Sequence, residues 1–110
     1  MHIEHSEDYI LLSNKSDNFD HFLSIFEEKH AEFEEKHLIL QLSESLNITE
    51  EDLFVFLKYA EKHQQNGTSF VVVKEEVDID KFPEWFNITP TLLEARDVLE
   101  MEEIQRDLGF

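Results

Sequence analysis

Between residues 37 and 73 the chain passes through a short apolar stretch, an acidic polar turn, an amphipathic segment, a glycine and a second apolar stretch, an order that few folds accommodate. It predicts a βαβ unit. His37-Leu-Ile-Leu-Gln-Leu42 reads as a strand, residues 49–65 as a helix, Asn66-Gly67 as its stop, and Ser69-Phe-Val-Val-Val73 as a second, β-branched strand. In an open parallel sheet ligands gather at the carboxyl ends of the strands, so the turn after the first strand decides what such a unit can hold. Here that turn is Ser43-Glu-Ser-Leu-Asn-Ile-Thr-Glu-Glu51, without glycine, lysine or arginine. A phosphate cradle needs glycines for close backbone approach and a cation for charge, whereas this turn would meet a phosphate with Glu44, Glu50 and Glu51. Nucleotide binding at this position is excluded.

At 110 residues there is room for one domain, with a core that removes roughly two-thirds of the unfolded chain's surface from water. Nine basic residues stand against 26 acidic ones, and the formal charge of −17 repels phosphate backbones and anionic lipid headgroups alike. Direct binding to nucleic acid or to a membrane surface is therefore not expected. Solvated helix faces account for most of this charge. There is no cysteine, so disulfides and thiolate zinc sites are excluded, and the composition suits a reducing cytoplasm. The opening Met-His-Ile-Glu-His has no basic region followed by an apolar segment, and nowhere do eighteen apolar residues run together. Neither a secretion signal nor a membrane span is expected.

Upstream of the βαβ unit, residues 2–5 and 9–13 are short apolar stretches separated by Ser6-Glu-Asp8, a hairpin pattern. Phe19, Phe22, Leu23, Phe26, His30 and Phe33 then recur at spacings of three and four, which lines one face of a helix that Ser16, Asp17 or Asn18 could cap. The 49–65 helix has Thr49 as its N-cap, with Glu50, Glu51 and Asp52 in a first turn whose dipole favours anions. Its inward stripe should be Leu53, Phe56, Leu57, Ala60 and Gln64. Residues 78–86 read as a helical turn carrying Phe82, Trp85 and Phe86, and residues 87–89 as a last strand. A final helix begins either at Thr89, with Pro90 at the first helical position, or at a capping box of Thr91 and Glu94. The order is ββαβαβ(α)βα: one α/β domain with a four- to five-stranded mixed sheet and about four helices, largely on one face.

From residue 38 to 95 this pattern resembles the STAS family, the domain shared by sulphate transporters and bacterial anti-sigma-factor antagonists. The resemblance lies in the first strand and acidic turn, Leu53-Phe-Val-Phe-Leu57, Asn66-Gly67, Phe70-Val-Val-Val73, and Asn87-Ile-Thr-Pro-Thr-Leu-Leu-Glu-Ala95, which is similar to the family's closing strand and T-x-x-E-A helix. It implies a non-catalytic, regulatory protein-interaction module. In the family a D-S-S-G motif directly precedes the second helix, and its first serine accepts phosphate from an anti-sigma-factor kinase. Counting back from Leu53 places Thr49, Glu50, Glu51 and Asp52 on that motif, so Glu50 occupies the phosphoacceptor position. A serine gains roughly −1.5 to −2 charge on phosphorylation, whereas a glutamate is already ionised at neutral pH and takes no phosphate from such a kinase. The resemblance therefore implies a locked site, although Ser43, Ser45 and Thr49 keep hydroxyls nearby. Residues 101–110 also resemble the ending of small STAS-like proteins encoded beside ribonuclease Z, which suggests an accessory role to that enzyme as an alternative. Nuclease activity itself is not expected, because the H-x-H-x-D-H zinc motif of that enzyme is missing.

Other constellations are weaker. His30, Glu34 and His37 are spaced four and three apart, but His37 falls in a strand and the set is not closed, so no metal is expected. His21 and His63 have no partner by spacing, and no pair of carboxylates is singled out for acid and base chemistry. No cofactor is expected. A small-molecule cleft lined by Phe82, Trp85 and Phe86 competes with a reading of these rings as core.

Two apolar features do not fit a monomer's core. At 100° per residue, Val55 and Tyr59 should turn outward and Phe54 should sit on the flank, which predicts a protein-binding face of Thr49, Glu50, Glu51, Phe54, Val55, Lys58 and Tyr59. In the last helix Leu92, Ala95 and Leu99 form one stripe, while Met101, Ile104 and Leu108 project to the opposite side and Phe110 ends an acidic tail. Either this helix bends near Glu100, or residues 101–110 form a partner-binding tail. The expected partner is a protein, an anti-sigma-factor-like chain or ribonuclease Z, bound by a monomer or weak homodimer.

Overall fold

The computed structural model describes residues 1–15 and 17–109. Its elements are β1 (His2–His5), β2 (Ile10–Ser13), α1 (Phe19–Lys29), β3 (Leu38–Gln41), α2 (Glu50–Leu53), α3 (Leu57–Gln65), β4 (Phe70–Val73), β5 (Asn87–Thr89) and α4 (Leu92–Asp107). The five strands form one sheet in chain order, with β1 antiparallel to β2 and every later pair parallel. This is the expected α/β class with a mixed sheet. Parallel crossovers are right-handed, so three successive ones stepping in the same direction must all lie on the same face. That explains why the connecting helices share one side.

Side chains alternate across the sheet, so each strand feeds both faces. On the crossover side, Ile10, Leu12, Leu38, Leu40, Phe70 and Val72 meet Phe22, Phe26, Leu53 and Phe56 in the larger core. On the other side, Leu11, Ile39, Val71 and Val73 are covered by Ala95 and Leu99 of α4. The register aligns Leu11, Ile39 and Val71 in one row, so a single helix laid across the row buries all three. Each such aliphatic side chain contributes about 1.5–3 kcal/mol on burial.

Local signals set the element ends. Asn18 caps α1 by accepting the His21 N–H at 3.0 Å, while Ser16, the earliest of the expected caps, lies outside the described residues. Thr49 and Asp52 form a reciprocal capping box, with Thr49 Oγ1 accepting the Asp52 N–H at 3.2 Å and Asp52 Oδ2 accepting the Thr49 N–H at 2.9 Å. Thr91 caps α4 by accepting the Glu94 N–H, so Pro90 precedes the helix instead of opening it. Gly67, at φ +74°, ends α3 in the left-handed region, and the Thr68 N–H then reaches the His63 carbonyl at 2.9 Å.

The 49–65 segment differs from a single helix. Residues Phe54–Phe56 tighten into a 3₁₀ turn between α2 and α3. A 3₁₀ turn advances 120° per residue instead of 100°, so three residues add roughly 60° of rotation. The inward stripe of α3 is shifted accordingly: His63 is buried where Gln64 was expected, and Gln64 is exposed. The 78–86 segment carries only a 3₁₀ turn at Ile79–Lys81, with Phe82 and Phe86 buried in the larger core. Among the described residues no helix is long and apolar enough to cross a membrane.

Candidate functional site

The turn at the carboxyl end of β3 is built as a braced corner. Residues Glu44–Leu46 form a 3₁₀ turn closed by Asn47 in the left-handed region, and Leu46 buries its side chain. The Asn14 side chain, at the end of β2, accepts the Ser43 N–H at 2.9 Å and donates to Ser43 Oγ at 2.9 Å. Ser43 and Ser45 hydroxyls lie 2.7 Å apart. Both serines are exposed.

Glu50, the residue placed by resemblance at a phosphoacceptor position, faces inward to a neighbouring turn. Its Oε2 accepts the Asp78 N–H at 2.8 Å and its Oε1 pairs with Lys81 Nζ at 2.8 Å. The Lys81 ammonium and the Asp78 N–H hold the Glu50 carboxyl below the ordinary carboxylate range, and Glu50 in turn raises Lys81. Thus Glu50 ties the start of α2 to the β4–β5 connection. Sequence reading missed this tie, because 31 residues separate the partners and neither is periodic with the other.

The surface expected around Glu50 is only partly open. Phe54 remains 40 % exposed, its ring 4.6 Å from that of Phe82, while Glu51, Lys58 and the capping residue Thr49 are exposed. Val55 and Tyr59 do not turn outward as expected: both are half-buried against the larger core. The Tyr59 ring packs edge-on against Phe26 at 4.9 Å and His30 at 4.7 Å. The extra rotation of the 3₁₀ turn is the cause. Of the three rings considered for a small-molecule cleft, Phe82 and Phe86 are core and only Trp85 is exposed, beside a cavity of about 320 Å³ that Gln64, Asn87 and Arg106 also line.

A second polar feature is interior. His30 leaves the end of α1 and meets His63 with 2.8 Å between their Nε2 atoms, and both residues are buried. Thr68 Oγ1 donates to the His63 carbonyl at 3.2 Å and sits 2.9 Å from His63 Nδ1. Both bonds form at once only if the hydroxyl accepts the Nδ1 proton, which leaves His63 Nε2 as the acceptor for His30 Nε2–H. Burial lowers His30, and burial together with the charge of His30 lowers His63 to about 4. His37 stands apart from this pair: its Nδ1 accepts the Ser69 N–H at 3.0 Å and its Nε2 lies 3.4 Å from Glu103. The spacing of His30, Glu34 and His37 therefore does not become a shared face, since α1 stops at Lys29. Among the described residues no three histidine or carboxylate side chains are grouped to hold a metal ion.

The third feature is α4, which runs without interruption from Leu92 to Asp107 and does not break near Glu100. Its inner face carries Ala95 and Leu99. Met101, Ile104 and Leu108, joined by Leu93, are between 52 and 69 % exposed on the outer face. Leu93 was not singled out by the sequence reading, though it falls on the same stripe; Phe110 lies outside the described residues. No family model matches the chain, and no curated protein matches it.

Proposed function

We propose that the chain is a non-catalytic protein-interaction module, a STAS-like regulator of the anti-sigma-factor-antagonist kind in which a fixed Glu50 stands in place of a phosphoacceptor. The observation that carries this reading is the outer face of α4, where four large apolar side chains stay in water on a helix whose opposite face packs on the sheet through Ala95 and Leu99. Monomeric domains seldom leave such side chains aligned unless another chain covers them. The pairing of Glu50 with Lys81 and the Asp78 N–H supports a turn that is held in one state. The module acts in the cytoplasm, on protein partners, as a monomer or weak homodimer and without contact to nucleic acid.

Affinity capture from native lysate with the wild type and an Ile104→Ser/Leu108→Ser variant tests this, with mass spectrometry reading both partners and modification. The expected result is a partner lost from the variant and no phosphate on Ser43, Ser45 or Thr49. Identical captures, or a stoichiometric phosphate on one of those hydroxyls that governs capture, would overturn it.

A further inference from the structure

We infer that the outer face of α4 docks a cationic amphipathic helix. The inference rests on the reading of α4 as a partner surface and adds the chemistry of the partner. At 100° and 1.5 Å per residue, Leu93, Met101, Ile104 and Leu108 fall within an arc of roughly 80° and along roughly 22 Å of helix. That is the footprint of one helix laid along another. Asp97 falls inside the same arc and Glu94, Glu100 and Asp107 border it, all exposed. Among the described residues, none of the ion pairs includes these four carboxylates.

The two cations of α4 are engaged elsewhere. Arg96 Nε donates to Tyr9 Oη at 2.8 Å, and Arg106 donates to Ser69 Oγ at 3.1 Å. The inward carboxylates are engaged as well, Glu102 with Asn87 at 2.9 Å and Glu103 with His37. The outer face is thus an apolar stripe bordered by carboxylates, and the nearest cation, Arg96, is already bonded to Tyr9.

Charge selects the occupant. A second copy paired antiparallel, with Leu93 opposite Leu108, would set Ile104 against Asp97 and Met101 against Glu100. A parallel pairing would set each carboxylate against its own copy, and either way two chains of charge −17 would approach. An anionic lipid surface is repelled for the same reason. A helix with leucines on one side and lysines or arginines on its flanks covers the stripe and pairs with Glu94, Asp97, Glu100 and Asp107.

The test uses the full chain and three synthetic peptides: a Leu/Lys amphipathic helix, a scramble of the same composition, and a Leu/Glu helix. Titration calorimetry should show the patterned Leu/Lys helix binding roughly tenfold or more tighter than the scramble, with affinity falling as salt rises. Ile104→Ser/Leu108→Ser should remove roughly tenfold of that affinity, and Asp97→Asn/Glu100→Gln should flatten the salt dependence; circular dichroism verifies that both variants stay folded. Equal binding of patterned and scrambled Leu/Lys peptides, or of the Leu/Glu helix, would overturn the inference. So would a sedimenting homodimer that the Ile104/Leu108 variant dissolves. If lysate capture depends on the stripe while the Leu/Lys helix does not bind, the partner class is wrong and the interaction module stands; if stripe substitutions change neither, both readings fall.

Discussion

His30 and His63 share one hydrogen bond between their Nε2 atoms, so the pair cannot carry a proton on both facing nitrogens. The arrangement starts from Gly67. Its left-handed turn brings Thr68 back over the end of α3, the Thr68 hydroxyl fixes which nitrogen of His63 holds the proton, and His63 then receives His30 from α1. Two crossover helices are pinned together by a pair that cannot be doubly protonated, and burial disfavours charge on either ring.

Acid should therefore loosen the domain earlier than carboxylate titration alone would. The folded-state pKa of His63 is lowered to about 4 from 6.5, so the unfolded chain binds a proton first as pH falls. The stabilisation is complete above pH 6.5 and is lost on the way down to about 4, by roughly 3 kcal/mol on the full shift. His30 is lowered in the same direction; Glu34 opposes that shift and Lys62 adds to it. Urea denaturation at pH 7 and pH 5 checks this, and a His63→Leu variant should show a flatter pH dependence. It should also lose about 1–3 kcal/mol at pH 7, because His30 is left buried without its acceptor.

Gly67→Ala should cost about 1–2 kcal/mol, all of it from the backbone. No atom lies within 4 Å of an added Cβ, so there is space for the methyl group, but φ +74° is disfavoured for a residue bearing one. Combined with Thr68→Val, the losses should fall short of their sum, since both changes act on the same His63 contact. Chemical denaturation of the three variants measures that coupling.

The two faces of α4 should respond differently to truncation. Leu99→Ala empties part of the core between α4 and the sheet and should cost roughly 2–5 kcal/mol. Ile104→Ser, on the outer face, should stay within about 0.5 kcal/mol of the parent in thermal denaturation.

Glu50 offers a separate test of its role as a tie. Glu50→Ala removes both acceptors from the Asp78–Lys81 turn, whereas Glu50→Gln keeps an oxygen for the Asp78 N–H and loses only the charge that holds Lys81. Amide exchange at Asp78 should accelerate strongly in the first and weakly in the second. In the parent the tie is present above the ordinary carboxylate range and is lost as pH falls through the lowered pKa of Glu50. Exchange followed by NMR from pH 7 downward measures it.

Much of this fold is legible in the sequence because its signals are local. Short apolar stretches mark the hairpin, a β-branched run marks β4, Thr49 and Asn18 announce helix starts, and Asn66-Gly67 marks a helix end. The opposed stripes of α4 follow from spacing alone, and the exposed side chains agree with it. What failed is rotation and long-range pairing. A three-residue 3₁₀ turn cannot be read from composition, yet it moved His63 into the core and turned Tyr59 onto Phe26. His30 and His63 are 33 residues apart and meet only because two helices cross the same sheet side by side. Glu50 was read for its charge, and its bond to Lys81 depends on where a glycine-free connection happens to fold.

The sheet places β2, β3, β4 and β5 side by side in the order in which they are synthesised. Each new strand leaving the ribosome finds its neighbour already made, so the structure can grow outward without waiting for a distant segment. The exception is the surface that Leu11, Ile39, Val71 and Val73 present together, which only α4 closes. A nascent chain halted before that helix is sticky on one entire side, and the emergence of α4 seals it.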